Sequence, residues 1–436
     1  MNRSSCFGLF ARYCSLNVLG MLALSCYILA DTFFVANTLG SNGLAALNLA
    51  IPVFSFIHGF GLMLGMGGAT RFTILKHQGR EAKASAAFTH VLALAGAAAF
   101  FFFSCGLFFS RPLAVLLGAE GDVLPMTQTY IRILLLFAPA ILLNDLLLCF
   151  VRNDGAPQRS MAAMVTGSLS NIVLDYLFMV PLNMGIFGAV FATGLAPVIS
   201  LAVLSPFFLG HHNTFRPVRC APSPHLLGLC AAAGVPSLLS ELSSGVVMVV
   251  FNAVLLSLEG STGVAAYGVV ANLSLVVLAI YNGVAQGVQP LLSGYYGSGD
   301  HPHIRSILRY ASATVLILSA LICLGTSLGA GPISALFNQE GDPLLQDMAV
   351  QGMRLYFIAC PWAGMNLLTT IFFASTDHPR PAQLISLLRG YFLILPLALL
   401  LPRLWGLTGL WLAFPIAEAL TAAAALALFL RVRRQL

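Results

Sequence analysis

Residues 171–193 read "NIVLDYLFMVPLNMGIFGAVFAT": an apolar run carrying one amide and one acid, a turn at "PLNMG" (181–185), then a second apolar run. An acid in such a run costs free energy, so Asp175 needs a reason to be there. The turn also recurs. Pro181, Gly185 and Gly188 come back as Pro402, Gly406 and Gly409, 221 residues later. "GLAAL" (43–47) returns as "GVAAY" (263–267) at an offset of 220, and Arg132, Pro139, Asn144 and Pro157 return as Arg354, Pro361, Asn366 and Pro379 at 222. Chance does not hold nearly one offset across five runs, so a unit of six apolar runs is written twice.

Composition says what the runs are. The 436 residues are 58% hydrophobic and 8% charged, with a mean hydropathy of +0.90, which is more apolar surface than a soluble core absorbs. A hydrocarbon layer of roughly 30 Å takes about 20 apolar residues per helix. Twelve such spans fit, centred near residues 25, 60, 98, 138, 170, 197, 241, 277, 316, 360, 392 and 419. Helices are required because each backbone group must find its partner inside its own segment. The expected fold class is therefore an all-α membrane protein of twelve transmembrane helices in two six-helix bundles. Residues 1–215 would form the first, ion-coupling bundle and 216–436 the second, joined at the basic "FRPVRCAPSPH" (215–225). Six is even, so the bundles should cross in the same sense, related by a pseudo-two-fold along the membrane normal, with a substrate cavity between them.

The net charge of +6 does not point to nucleic acid, because the basic residues are scattered among loops. Their bias toward the termini and alternate loops places both termini in the cytoplasm. No cleavable leader is expected, since the first apolar run is long and holds Asp31. The nine Cys show no C-x-x-C spacing and suit small core positions. Only two Lys are present, Lys76 and Lys83, and neither follows Gly as in a nucleotide-binding loop. Neither a cofactor nor enzyme activity is expected.

Five of the fifteen acids fall within spans: Asp31, Asp145, Asp175, Glu241 and Glu418. Each costs about 3 kcal/mol at mid-membrane on insertion scales, which makes each a functional candidate. Counting at 1.5 Å per residue from the outer turns puts Asp31, Asp175 and Thr193 roughly 10 Å below the outer surface. Asn171 shares the face of Asp175. Two carboxylates, an amide oxygen and a hydroxyl can thus converge, and two ionised carboxylates about 4 Å apart would repel by roughly 4 kcal/mol at an effective dielectric near 20. A Na⁺ or a proton relieves that repulsion. The plainer alternative is that each Asp caps a neighbouring helix or pairs with an Arg, and that Thr193 bonds its own backbone. In the second half Asp31 maps to Phe251 beside Asn252, and Asp175 maps to Pro396. Glu241 and Glu418 could offer charge to a cationic substrate or be hydrogen-bonded between helices. Asn144 and Asp145 count to the cytoplasmic end of span four, which favours helix packing or a hinge near Pro139 and Pro361. His58 and His90 lie in spans and fit packing as well as proton carriage.

Together "DTFFVANTLGSNGLAALNLAIPV" (31–53), "RNDGAPQRS" (152–160), the 171–193 stretch and "NGVAQGVQPLLSGYYGSGD" (282–300) resemble the multidrug and toxic compound extrusion (MATE) family, in its bacterial efflux branch, over nearly the whole chain. The resemblance implies two six-helix bundles in a bacterial plasma membrane, exporting lipophilic organic cations in exchange for Na⁺ or H⁺, with no nucleic-acid partner and as a monomer. It implies a cation site at Asp31, Asn171, Asp175 and Thr193, with Asn144 a further match. Substrate-cavity candidates are Asn144, Asp145, Glu241, Asn252 and Glu418. Some branches use acids in spans seven and ten, but here span ten has none. A flippase for a lipid-linked precursor is the alternative, and would need a basic cavity for which Arg132, Arg354 and Arg389 are the in-span candidates.

Overall fold

The computed structural model describes residues 3–338 and 341–433, and among them regular structure is entirely helical. Among the described residues nine helices are long and apolar enough to cross a membrane. Three of these are broken once by a non-helical glycine, so the nine amount to twelve spans. Arg3–His77 breaks at Gly40 into span 1 (3–39) and span 2 (41–77). Span 3 is Glu81–Phe108, span 4 Val123–Asn153, span 5 Pro157–Met179 and span 6 Gly185–Leu209. Pro224–Gly297 breaks at Gly260 into span 7 (224–259) and span 8 (261–297). Span 9 is His301–Leu328, span 10 is Pro343–Ser375, and Pro379–Val432 breaks at Gly406 into spans 11 and 12.

The repeat in the sequence is a repeat in backbone conformation. Gly40 has φ 63° and ψ −152°, and Gly260 has φ 65° and ψ −152°. Gly185 and Gly406 likewise share positive φ, 61° and 55°. A side chain at such an angle meets the adjacent carbonyl, which is why glycine stands at these reversals.

The chain forms two compact units. The first comprises Ser15–Leu242 and Ser293–Gly299; the second comprises Met1–Cys14, Ser243–Leu292 and Asp300–Leu436. In the first unit Tyr130, Ile131, Leu134, Ala138 and Ile141 of span 4 are buried against Val35, Ala50 and Ile57 of spans 1 and 2 and Met179, Ala189 and Val190 of spans 5 and 6. Span 2 approaches its neighbours closely because "HGFGLMLGMGG" (58–68) lacks side chains where they touch. A Cβ at Gly65 would lie 2.9 Å from the Asp145 carbonyl oxygen, and one at Gly67 would overlap the Cys230 carbonyl oxygen. Span 2 therefore sits between spans 4 and 7.

Residues 210–223, which join spans 6 and 7, are fastened to the first unit. Phe215 is buried among Phe72, Phe88, Phe150 and Phe208. The wholly buried carboxylate of Asp154 accepts from Lys76 Nζ at 2.8 Å and from the Thr214 N–H at 2.7 Å, and also from the Thr214 hydroxyl. The Ser223 N–H donates to His90 Nε2 at 2.8 Å. His90 is thus a tie for this segment. Asp154→Ala strips three bonds from one point and is expected to cost about 2 kcal/mol, discounted because Lys76 is partly exposed. Thermal unfolding in detergent should show a lower Tm for Asp154→Ala than for the wild type, and equal values would contradict this account of the joint.

Candidate cation-coupling site

Asn171 and Asp175 sit one turn apart on span 5, and neither is exposed at all. With its amide oriented to satisfy both atoms, Asn171 donates to Asp175 Oδ2 at 2.8 Å and its carbonyl accepts the Thr193 N–H at 3.2 Å. Thr193, on span 6, donates its hydroxyl to the Ala189 carbonyl at 3.1 Å. Its side chain therefore bonds its own backbone, and its oxygen keeps acceptor capacity. Tyr130 of span 4 lies beside Thr193.

Asp31 enters from span 1 and is 7% exposed. Its charge acts directly on Asp175, and both acids act on the phenols of Tyr27 and Tyr130. The structure thus gathers Asp31, Asn171, Asp175 and Thr193 in the first unit, with two tyrosines around them. Neither tyrosine stands out in the sequence as Asp175 does, because a phenol in an apolar span is ordinary core. The spacing of Tyr27 from Asp31, four residues on one helix face, is the one signal that could have marked it.

Oδ1 of Asp31 and Oδ1 of Asp175 are both buried with no hydrogen-bond partner. An orphaned buried acceptor costs about 1–3 kcal/mol, and more when it carries charge. Two such oxygens on mutually repelling carboxylates, ringed by an amide and hydroxyls, suit a hard cation or a proton.

The other candidates lie apart from this group. Asp145 pairs with His58, Nδ1 to Oδ2 at 2.9 Å, so it does more than pack span 4. Asn144 Oδ1 is buried without a partner. Glu241 of span 7 lies against Gly59 of span 2. Asn252 lines a small open recess with Ala253, Leu256, Ser261 and Val264. Glu418 is held tightly in the second unit: Oε1 accepts from Arg389 Nη2 at 2.7 Å and Nε at 3.1 Å, and Oε2 accepts from Asn366 Nδ2 at 2.7 Å. Its charge is spent inside the protein, which removes Glu418 as a free anionic contact for a substrate. Arg389 is spent in the same bond, so it does not supply the basic cavity that a phosphate carrier would need.

The MatE family profile matches residues 18–177 and 236–400, three quarters of the chain. The chain belongs to the MatE family. Relatives of this MatE chain include the multidrug export protein MepA of Staphylococcus saprophyticus, 25% identical over 423 residues that cover 96% of this chain and 92% of the relative. MepA of Staphylococcus aureus strain MSSA476 matches at the same identity and coverage. Among solved structures, an outward-facing multidrug resistance MATE transporter superposes with a TM-score of 0.89 at 24% identity, over 98% of this chain and 95% of that one. A variant of the Vibrio cholerae MATE transporter VcmN gives 0.91 at 22% identity, over 100% and 98%. These two likenesses concern the fold, and the fold is the MATE one.

Proposed function

We propose that this MatE protein is a secondary multidrug exporter that expels lipophilic organic cations in exchange for Na⁺ or H⁺ across a bacterial plasma membrane. Membership of the family and the similarity to multidrug export proteins over 96% of the chain support export of drugs. The observation that carries the coupling is the pair of orphaned oxygens on Asp31 and Asp175.

In this scheme the ion is cargo, moving inward as the drug moves outward. It binds between Asp31 of span 1 and Asp175 of span 5, with the Asn171 carbonyl and Thr193 hydroxyl as further oxygens and Tyr130 beside Thr193. Neutralising the pair lets span 1 draw toward span 5, and removing the ion drives them apart. The ion can shift the equilibrium only by the difference in its affinity for the two arrangements. A flippase for a lipid-linked precursor is disfavoured by the pairing of Arg389 with Glu418.

Ethidium accumulation in a host stripped of its own efflux pumps tests the export itself. Cells expressing the protein should hold less dye than empty-vector cells; equal dye would refute export.

Tyr130→Phe should lower export about fivefold, because the site loses the phenol beside Thr193, a polar neighbour worth about 1 kcal/mol, while the carboxylates stay in place. Initial rates of ethidium efflux check this. An unchanged rate would remove Tyr130 from the site.

A further inference from the structure

A second set of ionisable side chains lies in the first unit, apart from Asp31 and Asp175: Asp145 is buried, and His58 and Glu241 are half-buried. His58 Nδ1 lies 2.9 Å from Asp145 Oδ2, and the imidazole stacks on Phe54 with ring centroids 5.6 Å apart and planes 11° from parallel. Glu241 closes the group from span 7. Glycines make room for both acids: a Cβ at Gly61 would lie 2.8 Å from Asp145 Oδ2, and one at Gly59 would lie 3.0 Å from Glu241 Cβ. Span 2 therefore holds His58 against the Asp145 carboxylate of span 4 and within the field of Glu241 of span 7.

The other groups facing this cluster are few. Tyr27 of span 1 lies in the field of Asp145 and Glu241 as well as of Asp31 and Asp175. Cys149, one turn along span 4 from Asp145, sits beside Arg152, whose guanidinium donates to Asn17 Oδ1 at 2.8 Å and to Met66 and Cys149 sulfur. Among the described residues no three His, Cys, Asp or Glu meet in a metal-holding arrangement. The charge that suits this group is a proton or the diffuse charge of an organic cation.

We propose that His58, Asp145 and Glu241 form a charge-exchange site, in which the imidazole holds a proton until an organic cation docks against Glu241 and displaces it. The proposal rests on the export of organic cations argued above. With the imidazole protonated and both acids ionised, the cluster carries a net charge of −1. Docking a cation beside the imidazolium would set two positive charges together in a poorly screened place. Breaking the imidazolium N–H bond, with the electron pair left on nitrogen and the proton passing to water, keeps the total at −1. One positive charge thus leaves for each that arrives, and no net charge is added to the apolar interior. Asp145 orients the ring, while Glu241 is the contact for the cation.

The test is proton release when tetraphenylphosphonium is added to the purified protein in weakly buffered detergent near neutral pH. A pH-indicator dye reads the proton and radiolabelled tetraphenylphosphonium reads the binding. The same measurement in the Asp175→Asn background separates protons displaced from the Asp31 and Asp175 group. In both backgrounds His58→Gln should remove about one proton per bound cation while binding persists. Asp145→Asn, which keeps the imidazole and a hydrogen-bonding partner for it, should reduce the release as well. Glu241→Gln should weaken binding about tenfold. Release that is the same in His58→Gln and wild type, or wild-type binding with no release, would overturn the proposal and leave the export scheme standing. No binding by the wild type would overturn both.

Discussion

Asp175→Asn is expected to abolish export without unfolding the protein. The carbonyl of the new amide can still accept from Asn171, so the span 5 hydrogen bond survives. What disappears is the charge. Were both acids ionised about 4 Å apart, they would repel by roughly 4 kcal/mol at an effective dielectric near 20, and relief of that repulsion is the lever an incoming cation works. Removing it leaves no reason for the ion to bind and no penalty for its absence. Ethidium accumulation should rise to the empty-vector level, while Tm in detergent stays level or rises because the relieved repulsion offsets the buried amide. Retained resistance, or a Tm several degrees lower, would contradict this role for Asp175.

Arg389→Met should give the largest loss of stability from any single change considered. It strands the Glu418 carboxylate, 1% exposed, with Asn366 Nδ2 left donating to Oε2. Breaking one side of a buried ion pair costs about 3–5 kcal/mol, whereas replacing both members by apolar side chains of similar size is close to neutral. Arg389→Met combined with Glu418→Leu should therefore recover most of the lost Tm, with the coupling between the two positions appearing as a large departure from additivity. If Arg389→Met kept full stability and instead changed which cations are exported, Glu418 would belong to the substrate path after all.

Much of this was legible in the chain, for identifiable reasons. The twelve spans follow from hydropathy. The repeat survives because reversals such as those at Gly40 and Gly260 tolerate little but glycine. Asp31, Asn171, Asp175 and Thr193 could be placed together by counting along straight helices from the outer turns, since depth along a regular helix is set by its rise. Counting fails where the helix is not regular or where contact depends on an absent side chain. Residues 388–392 form a π-helical turn, which inserts a residue and turns Arg389 off the face that a 3.6-residue period assigns. The tie of His58 to Asp145 depends on Gly61 admitting the carboxylate to span 2; depth alone placed Asp145 among packing residues. Tyr130 carries no such signal, because the site it borders is made by residues of other helices.

The central claim is that a positive ion at Asp31 and Asp175 drives the expulsion of another. Ethidium flux in proteoliposomes, under an imposed Na⁺ gradient and separately under an imposed pH gradient, tests it most directly. Wild-type flux should be driven by at least one of the two gradients, and Asp175→Asn should respond to neither. Wild-type flux that proceeds equally fast with both gradients collapsed, or an Asp175→Asn variant that still follows a gradient, would contradict the account.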